Sequence, residues 1–205
     1  MLTLIFDTET TGLPEWSQPS EHPSQPHLCQ FTAVLFDDQT GEEHEYADFL
    51  IKPDGWIIPE ELTVIHGISQ ERALAEGLPE AEAVKIFLAL SSRADRVSGF
   101  NVDFDLRIMR IAMIRGGMLK DAADVIAANI KPKKHDVMMQ AAPVCKLPPT
   151  EKQMARGIRG FKQPKLAEAV LAILGETMDD AHDARADVLA TKRLYEHLNP
   201  ATTAA

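Results

Sequence analysis

Apolar and polar positions along the chain follow two periods, and the change between them marks out the elements. Leu2, Leu4, Ile5 and Phe6 form a short apolar run of β-favouring residues, which predicts an opening strand. Residues 14–27 carry four prolines (Pro14, Pro19, Pro23, Pro26) among polar residues, the composition of a mobile surface loop. Residues 31–36 and 45–51 repeat the strand pattern around turn residues at 37–41, and Pro53, Asp54 and Gly55 break it. This order suggests an antiparallel meander. Beyond it the period lengthens. Short helices are expected over 59–66, ending at Gly67, and over 69–75, capped by Ser69. Residues 79–90 form an amphipathic helix with Ala83, Ile86, Phe87 and Leu90 on one stripe. A strand over 96–100 precedes a helix over 103–116, and a further helix covers 121–128. A brief strand over 134–137 leads into a helix through Ala142. Residues 143–163 read as irregular and basic, 166–174 as an apolar helix stopped by Gly175, and 182–198 as the last helix. The tail from 199 to 205 is expected to be disordered. A meander followed by alternating strands and helices implies one α/β domain over 1–198 with a mixed central sheet. The pattern does not give the strand order.

Carboxylates interrupt this pattern where apolar residues belong. Asp7 and Glu9 continue the opening strand and, with a side-chain period of two, point to one face roughly 7 Å apart. They are either a solvated strand end or half of a cation site. Asp105 shares a helical stripe with Ile108, Met109 and Ala112, and Asp187 shares one with Thr191, Leu194 and Leu198. An acid on a core-facing stripe is costly unless paired, protonated or bound to a cation. An oxygen-only donor set suits a hard cation such as Mg²⁺ or Mn²⁺, which completes its shell with water and substrate phosphate. His182 precedes Asp187 by five residues, at a helix entry crowded by Asp179, Asp180 and Asp183. It is either a surface residue or a proton acceptor leaning over the acidic face.

Composition narrows the class. The longest apolar runs fall short of the roughly 18 residues that span a bilayer, and the N-terminus lacks a basic stretch leading into an apolar one, so neither a membrane span nor a signal peptide is expected. Two distant cysteines, Cys29 and Cys145, argue against a disulfide framework or thiolate zinc site and fit a reducing cytoplasm. The net charge of −10 speaks against a polyanion partner, but its distribution does not. Residues 131–165 hold nine Lys or Arg against Asp136 and Glu151, leaving −17 on the other 170 residues. That asymmetry is either a solvated basic loop or a contact for nucleic acid.

Three ordered motifs then carry a resemblance: Phe6-Asp7-Thr8-Glu9-Thr10-Thr11-Gly12-Leu13, Asn101-Val102-Asp103-Phe104-Asp105, and Ala181-His182-Asp183-Ala184-Arg185-Ala186-Asp187. Ile65-His66-Gly67-Ile68, Lys134-His135-Asp136 and Pro164-Lys165-Leu166 fit between them. Together they resemble the DnaQ-like exonucleases of the histidine (DEDDh) subclass, over about residues 1–198. The resemblance implies a ribonuclease H-like fold, a five-stranded mixed β-sheet flanked by helices. It implies that Asp7, Glu9, Asp105 and Asp187 hold two divalent cations, Mg²⁺ or Mn²⁺, with His182 as general base. Thr10 and the backbone near Glu9 would meet the terminal sugar, Gly12, Leu13 and His66 the terminal base, and Asn101 the phosphate. The implied reaction is 3′→5′ hydrolysis of DNA at single-stranded or frayed ends, releasing nucleoside 5′-monophosphates. Trimming of RNA 3′ ends is the alternative within enzymes, and a catalytically silent nucleic-acid-binding module the alternative outside them. Phe100 departs from the many relatives with His before the Asn. The loop 14–27 and the basic segment look longer than in compact relatives, and Lys152, Arg156 and Arg159 are expected to contact the strand. No polymerase partner is evident from the sequence.

Overall fold

The structure, a computed structural model, describes residues 1–157, 159–178 and 183–200. His182 and the 201–205 tail lie outside the described residues. Five strands form one sheet in the order β3-β2-β1-β4-β5. They are β1 (Leu2–Thr10), β2 (Leu28–Asp37), β3 (Glu43–Leu50), β4 (Arg96–Gly99) and β5 (Lys134–Asp136). The first three pair antiparallel, as the meander predicts, while β4 runs parallel to β1 and β5 parallel to β4. This is the mixed, helix-flanked sheet of a ribonuclease H-like fold. Asp7 and Glu9 lie within β1, which continues past the apolar run to Thr10.

The period of two sorts β1 into two cores. Leu4 and Phe6 point to one side, where α3 (Glu80–Arg93) and α4 (Val102–Arg115) bury Phe87, Leu90, Ile108, Met109 and Ala112 against them. Ile5 points to the other, joined by Val34 and Phe36 under α6 (Val137–Cys145), α8 (Leu166–Leu174) and α9 (Ala184–Leu198). Continuing the alternation, Thr8 belongs to the first side and Asp7 and Glu9 to the second. Helix α9 lies along the second side. Buried Tyr195 holds it at the strand's start, with its hydroxyl 3.3 Å from Thr3 Oγ1 and donating to Asp38 Oδ2 at 3.1 Å. The eight residues from Tyr195 back to Asp187 span about 12 Å of helix, and the four from Thr3 to Asp7 about 13 Å of strand. The tie at one end therefore brings Asp187 to Asp7 at the other.

Three features differ from the sequence pattern. The loop 14–27 is coil but closely held. Buried Gln25 donates from Nε2 to the carbonyls of Glu15 (3.0 Å), Gln18 (3.3 Å) and Pro19 (3.1 Å), and Arg107 and Arg115 of α4 donate to the carbonyls of Gln18, Gln25 and Pro26. Helix α6 runs on to Cys145 through Pro143, whose missing N–H removes a single hydrogen bond near the helix end. The segment expected to be irregular contains α7 (Glu151–Ala155), opened by a capping box in which Thr150 Oγ1 accepts from Gln153 N and Gln153 Oε1 from Thr150 N. Before α3 come α1 (Glu60–His66) and α2 (Gln70–Glu76), where Ile68 and Ala73 pack with Cys29, Leu50 and Ile58, and Gly77 leads into a parallel bridge between Ile51 and Leu78. Helix α5 (Lys120–Ile130) packs beside α4. No helix among the described residues is long and apolar enough to cross a membrane.

Candidate active site

Two carboxylates from β1 and one from α9 converge at the carboxyl end of the central strand. Oxygens of Asp7, Glu9 and Asp187 lie within 4.8 Å of one another. Asp105 is close by but outside this trio, because it comes from α4, across the sheet. It is 2 % exposed, and Thr8 Oγ1 donates to its Oδ1 at 2.7 Å. Thr8 sits between Asp7 and Glu9 but faces the α4 side. The strand thus presents two acids to one layer and a hydroxyl that holds the fourth acid in the other.

Asn101 ends β4's turn with φ 68°, the left-handed conformation that Asn tolerates better than most residues, and its N–H donates to Asp136 Oδ1 at 3.2 Å. The same oxygen caps α6 by accepting from Met138 N at 2.9 Å. Lys134-His135-Asp136 thereby links β5, α6 and the start of α4. Gly99 sits in a tight place: a Cβ there would stand 3.0 Å from the Phe6 carbonyl oxygen.

The acids line a cleft of about 670 Å³. Thr10, Gly12, Leu13, His66 and Asn101 all line it too, so the structure gathers the five expected substrate-contact residues around the carboxylates. Leu13 is 82 % exposed at the rim. His66 is buried and its Nδ1 accepts from Ile68 N at 3.1 Å, which fixes the turn at Gly67. Phe100, noted in the sequence only as a departure from relatives, lines the cleft too, as do Phe104, Met138 and Lys165, which were not proposed as contacts from the sequence. For Lys165 a signal existed in the Pro164-Lys165-Leu166 match. Lys152, Arg156 and Arg159 are exposed on and after α7 and are absent from the cleft's described lining.

Residues 4–195 match the RNase T family, "Exonuclease". The chain belongs to the exonuclease family. Among solved structures it is similar to E. coli exonuclease I in complex with a dT13 oligonucleotide, at 24 % identity and a TM-score of 0.72, covering 97 % of this chain and 41 % of that one. The complex of the same E. coli enzyme with dA16 gives 24 % and 0.70, with the same coverage. An exonuclease I structure described as suggesting how processivity is achieved gives 26 % and 0.69, covering 97 % and 41 %. This exonuclease chain therefore spans about two fifths of the length of the exonuclease I chains. Comparison with curated proteins finds no match.

The electrostatics of the exonuclease cleft explain its donor set. Burial, then the charges of Asp105, Asp187, Glu9 and Asp183, push the Asp7 carboxyl well above its ordinary value. Burial and the charges of Asp187, Asp105 and Asp183 push Glu9 up to about 8. Burial raises Asp105 to about 7, against the hydrogen bond from Thr8. Asp183, which caps α9 by accepting from Arg185 N at 2.9 Å, adds to the repulsion that Asp7 and Glu9 feel. Clustered carboxylates with raised pKa values and oxygen donors within 4.8 Å fit hard divalent cations, whose charge removes the repulsion. Protons compete with such an ion. Mn²⁺ affinity, titrated calorimetrically, is expected to rise from pH 6 to pH 8.5 as Asp105 and Glu9 lose their protons near 7 and 8, with proton release on binding. A flat affinity over that window would contradict this electrostatic picture.

Proposed function

We propose that the chain is a 3′→5′ exonuclease acting on DNA with single-stranded or frayed ends and releasing nucleoside 5′-monophosphates. The convergence of Asp7, Glu9 and Asp187 within 4.8 Å, in a cleft of an exonuclease-family chain, carries the reading. Those three and Asp105 would hold two divalent cations, Mg²⁺ or Mn²⁺. When bound, such ions supply Lewis-acid activation and charge neutralisation at the scissile phosphate.

The chain's own residues do the rest. Leu13 and the turn after His66 bracket the space beside the carboxylates where a terminal base would pack, and Thr10 Oγ1, donating to the Gly12 carbonyl at 2.7 Å, shapes the turn between them. Asn101, at the amino end of α4, faces the incoming phosphate. Lys165, which also lines the cleft, gives it a cation for the strand's backbone. His182 takes the proton from the attacking water. DNA is favoured because the exonuclease I structures similar to this chain hold dT13 and dA16. Matched DNA and RNA oligonucleotides, single- and double-stranded, with Mg²⁺ or Mn²⁺ and products sized over time, test the proposal. Ordered shortening of 5′-labelled DNA supports it. Faster shortening of the RNA replaces it with an RNA trimmer, and no shortening of either leaves a binding module.

The basic segment makes a separate prediction. If Lys152, Arg156 and Arg159 contact the strand, replacing all three with Ala lowers the slope of log affinity against log salt by about 2, since each phosphate contact on a single strand contributes roughly 0.7. An unchanged slope removes them from the interface and leaves Lys165 as the cleft's own cation.

A further inference from the structure

A second cavity, of about 590 Å³, opens on the face of α4 roughly opposite Asp105. Leu106 and Met113 of α4 and Ile126 of α5 make its apolar floor, and Trp16 from the proline-rich loop stands at its side. Arg107 and Arg110, one helical turn apart, point into this apolar setting together with Lys131.

Their charges are incompletely matched. Arg107 Nη2 donates to the Gln18 carbonyl at 2.5 Å, and its guanidinium lies over the Trp16 ring at 5.9 Å. Arg110 Nη2 meets Asp124 at 2.8 Å, a carboxylate that is 55 % exposed. Among the described residues, no carboxylate reaches Arg107 or Lys131 within 4.0 Å, and Arg107 Nε and Arg110 Nη1 are buried without hydrogen-bond partners. The lining carboxylate Asp103 is occupied, since Lys134 Nζ bonds both its oxygens at 2.6 and 2.8 Å. A local excess of cations in a chain of net charge −10 runs against the grain of the molecule.

We propose that this cavity is a binding site for a small amphipathic acid, an aromatic or branched aliphatic group bearing a carboxylate. Among the described lining residues, Arg107 Nε and Arg110 Nη1 are donors without partners, while the carboxylate of Asp103 is already engaged by Lys134. A carboxylate accepts only, and its two oxygens match the guanidinium fork. The apolar floor takes the hydrocarbon body, and the volume lies in the range of small-ligand pockets, roughly 300–1,000 Å³. A nucleobase fits less well, because its edge carries donors that would go unpaired here.

The experiment titrates the full chain with 4-phenylbutyrate, with the neutral 4-phenylbutan-1-ol and with dAMP, following the two tryptophan indole N–H resonances by NMR. Trp16 is assigned through Trp16→Phe, and Trp56 serves as the internal control. The acid is expected to shift Trp16 and not Trp56, and to bind at least about ten-fold more tightly than the alcohol. Arg107→Gln and Arg110→Gln are each expected to weaken it on the order of ten-fold. The site is overturned if acid and alcohol bind alike, if Trp16 is unmoved at about 10 mM acid, or if dAMP shifts Trp16 at lower concentration than the acid. Should the arginine variants fail to fold, the comparison of acid with alcohol decides alone.

Discussion

Asp7→Asn is expected to slow metal-dependent release of nucleotides by roughly 10³-fold, the scale of losing one principal electrostatic contributor to a transition state, while making the metal-free protein more stable at pH 8. The two effects share a cause. Asp7 lies at the centre of the acidic group, where burial and four neighbouring acids raise its pKa. A carboxyl whose folded pKa exceeds its unfolded value binds its proton more tightly when folded. Stability is then full at low pH and falls as pH rises from the unfolded value toward the raised one. Near pH 8, with Glu9 titrating at about 8 and Asp105 already past about 7, the empty cluster holds charges that repel each other in a buried setting. Asn keeps the shape and is neutral at every pH, so it escapes the cost of placing a carboxylate, or of taking up a proton, at this position. A gain of about 1–3 kcal/mol is expected, raising Tm by about 2–12 °C in a chain of this size. The gain shrinks at pH 5, where wild-type carboxyls are protonated, and reverses with saturating Mn²⁺, which stabilises only the intact site. Thermal scans at the two pH values, with and without Mn²⁺, and timed assays on a labelled oligonucleotide measure all of this. Wild-type rates in the variant would remove Asp7 from the site, and a lower metal-free Tm at pH 8 would refute the repulsion.

Gly77→Ala is expected to destabilise the fold by about 2–4 kcal/mol, more than a typical surface change and comparable to overpacking a core. Gly77 has φ −71°, a value any residue adopts, so backbone freedom is not the reason. The reason is crowding by main chain. A Cβ would stand 2.4 Å from the Ala73 carbonyl oxygen, 2.5 Å from Lys52 N and 2.7 Å from the Ile51 carbonyl carbon. None of these atoms belongs to a side chain that could swing away. Relief requires parting the Ile51–Leu78 bridge, in which Lys52 N donates to the Leu78 carbonyl and Leu78 N to the Leu50 carbonyl, both at 2.8 Å. Denaturant titration reads the loss directly. A change below about 0.5 kcal/mol, the usual range for exposed positions, would show that the segment yields at little cost.

Much of this was legible in the residues, for reasons that differ from place to place. The strand bearing Asp7 and Glu9 announces itself because apolar β-formers meet acids at a period of two, and Asp105 and Asp187 because each breaks a helical stripe. Faces, however, are relative. Periodicity says that Asp105 points inward but not that α4 covers the opposite side of the sheet from α9, so its separation from the trio and its bond to Thr8 could not be foreseen. The order of β4 and β5 depends on parallel crossovers that leave no local trace. The loop 14–27 reads as mobile from its prolines, whereas its order comes from one buried amide, Gln25, and from arginines about ninety residues away. The capping box at Thr150 and Gln153 was present in the sequence but overshadowed by the surrounding prolines and cations.

The division of the core by the sheet has a consequence for how this cleft tolerates change. Three of its acids answer to one packed layer and the fourth to another, and the thickness of β1 is the spacer between them. Substitutions in the layer around Tyr195 would move Asp187 while leaving Asp105 in register, and substitutions around Phe87 and Met109 would do the converse. Thr8 is the stitch through the fabric, since its hydroxyl joins the strand to Asp105 at the one point where the two layers must agree. Random variation can thus wander in either layer so long as that stitch keeps both halves of the cleft at a common pitch.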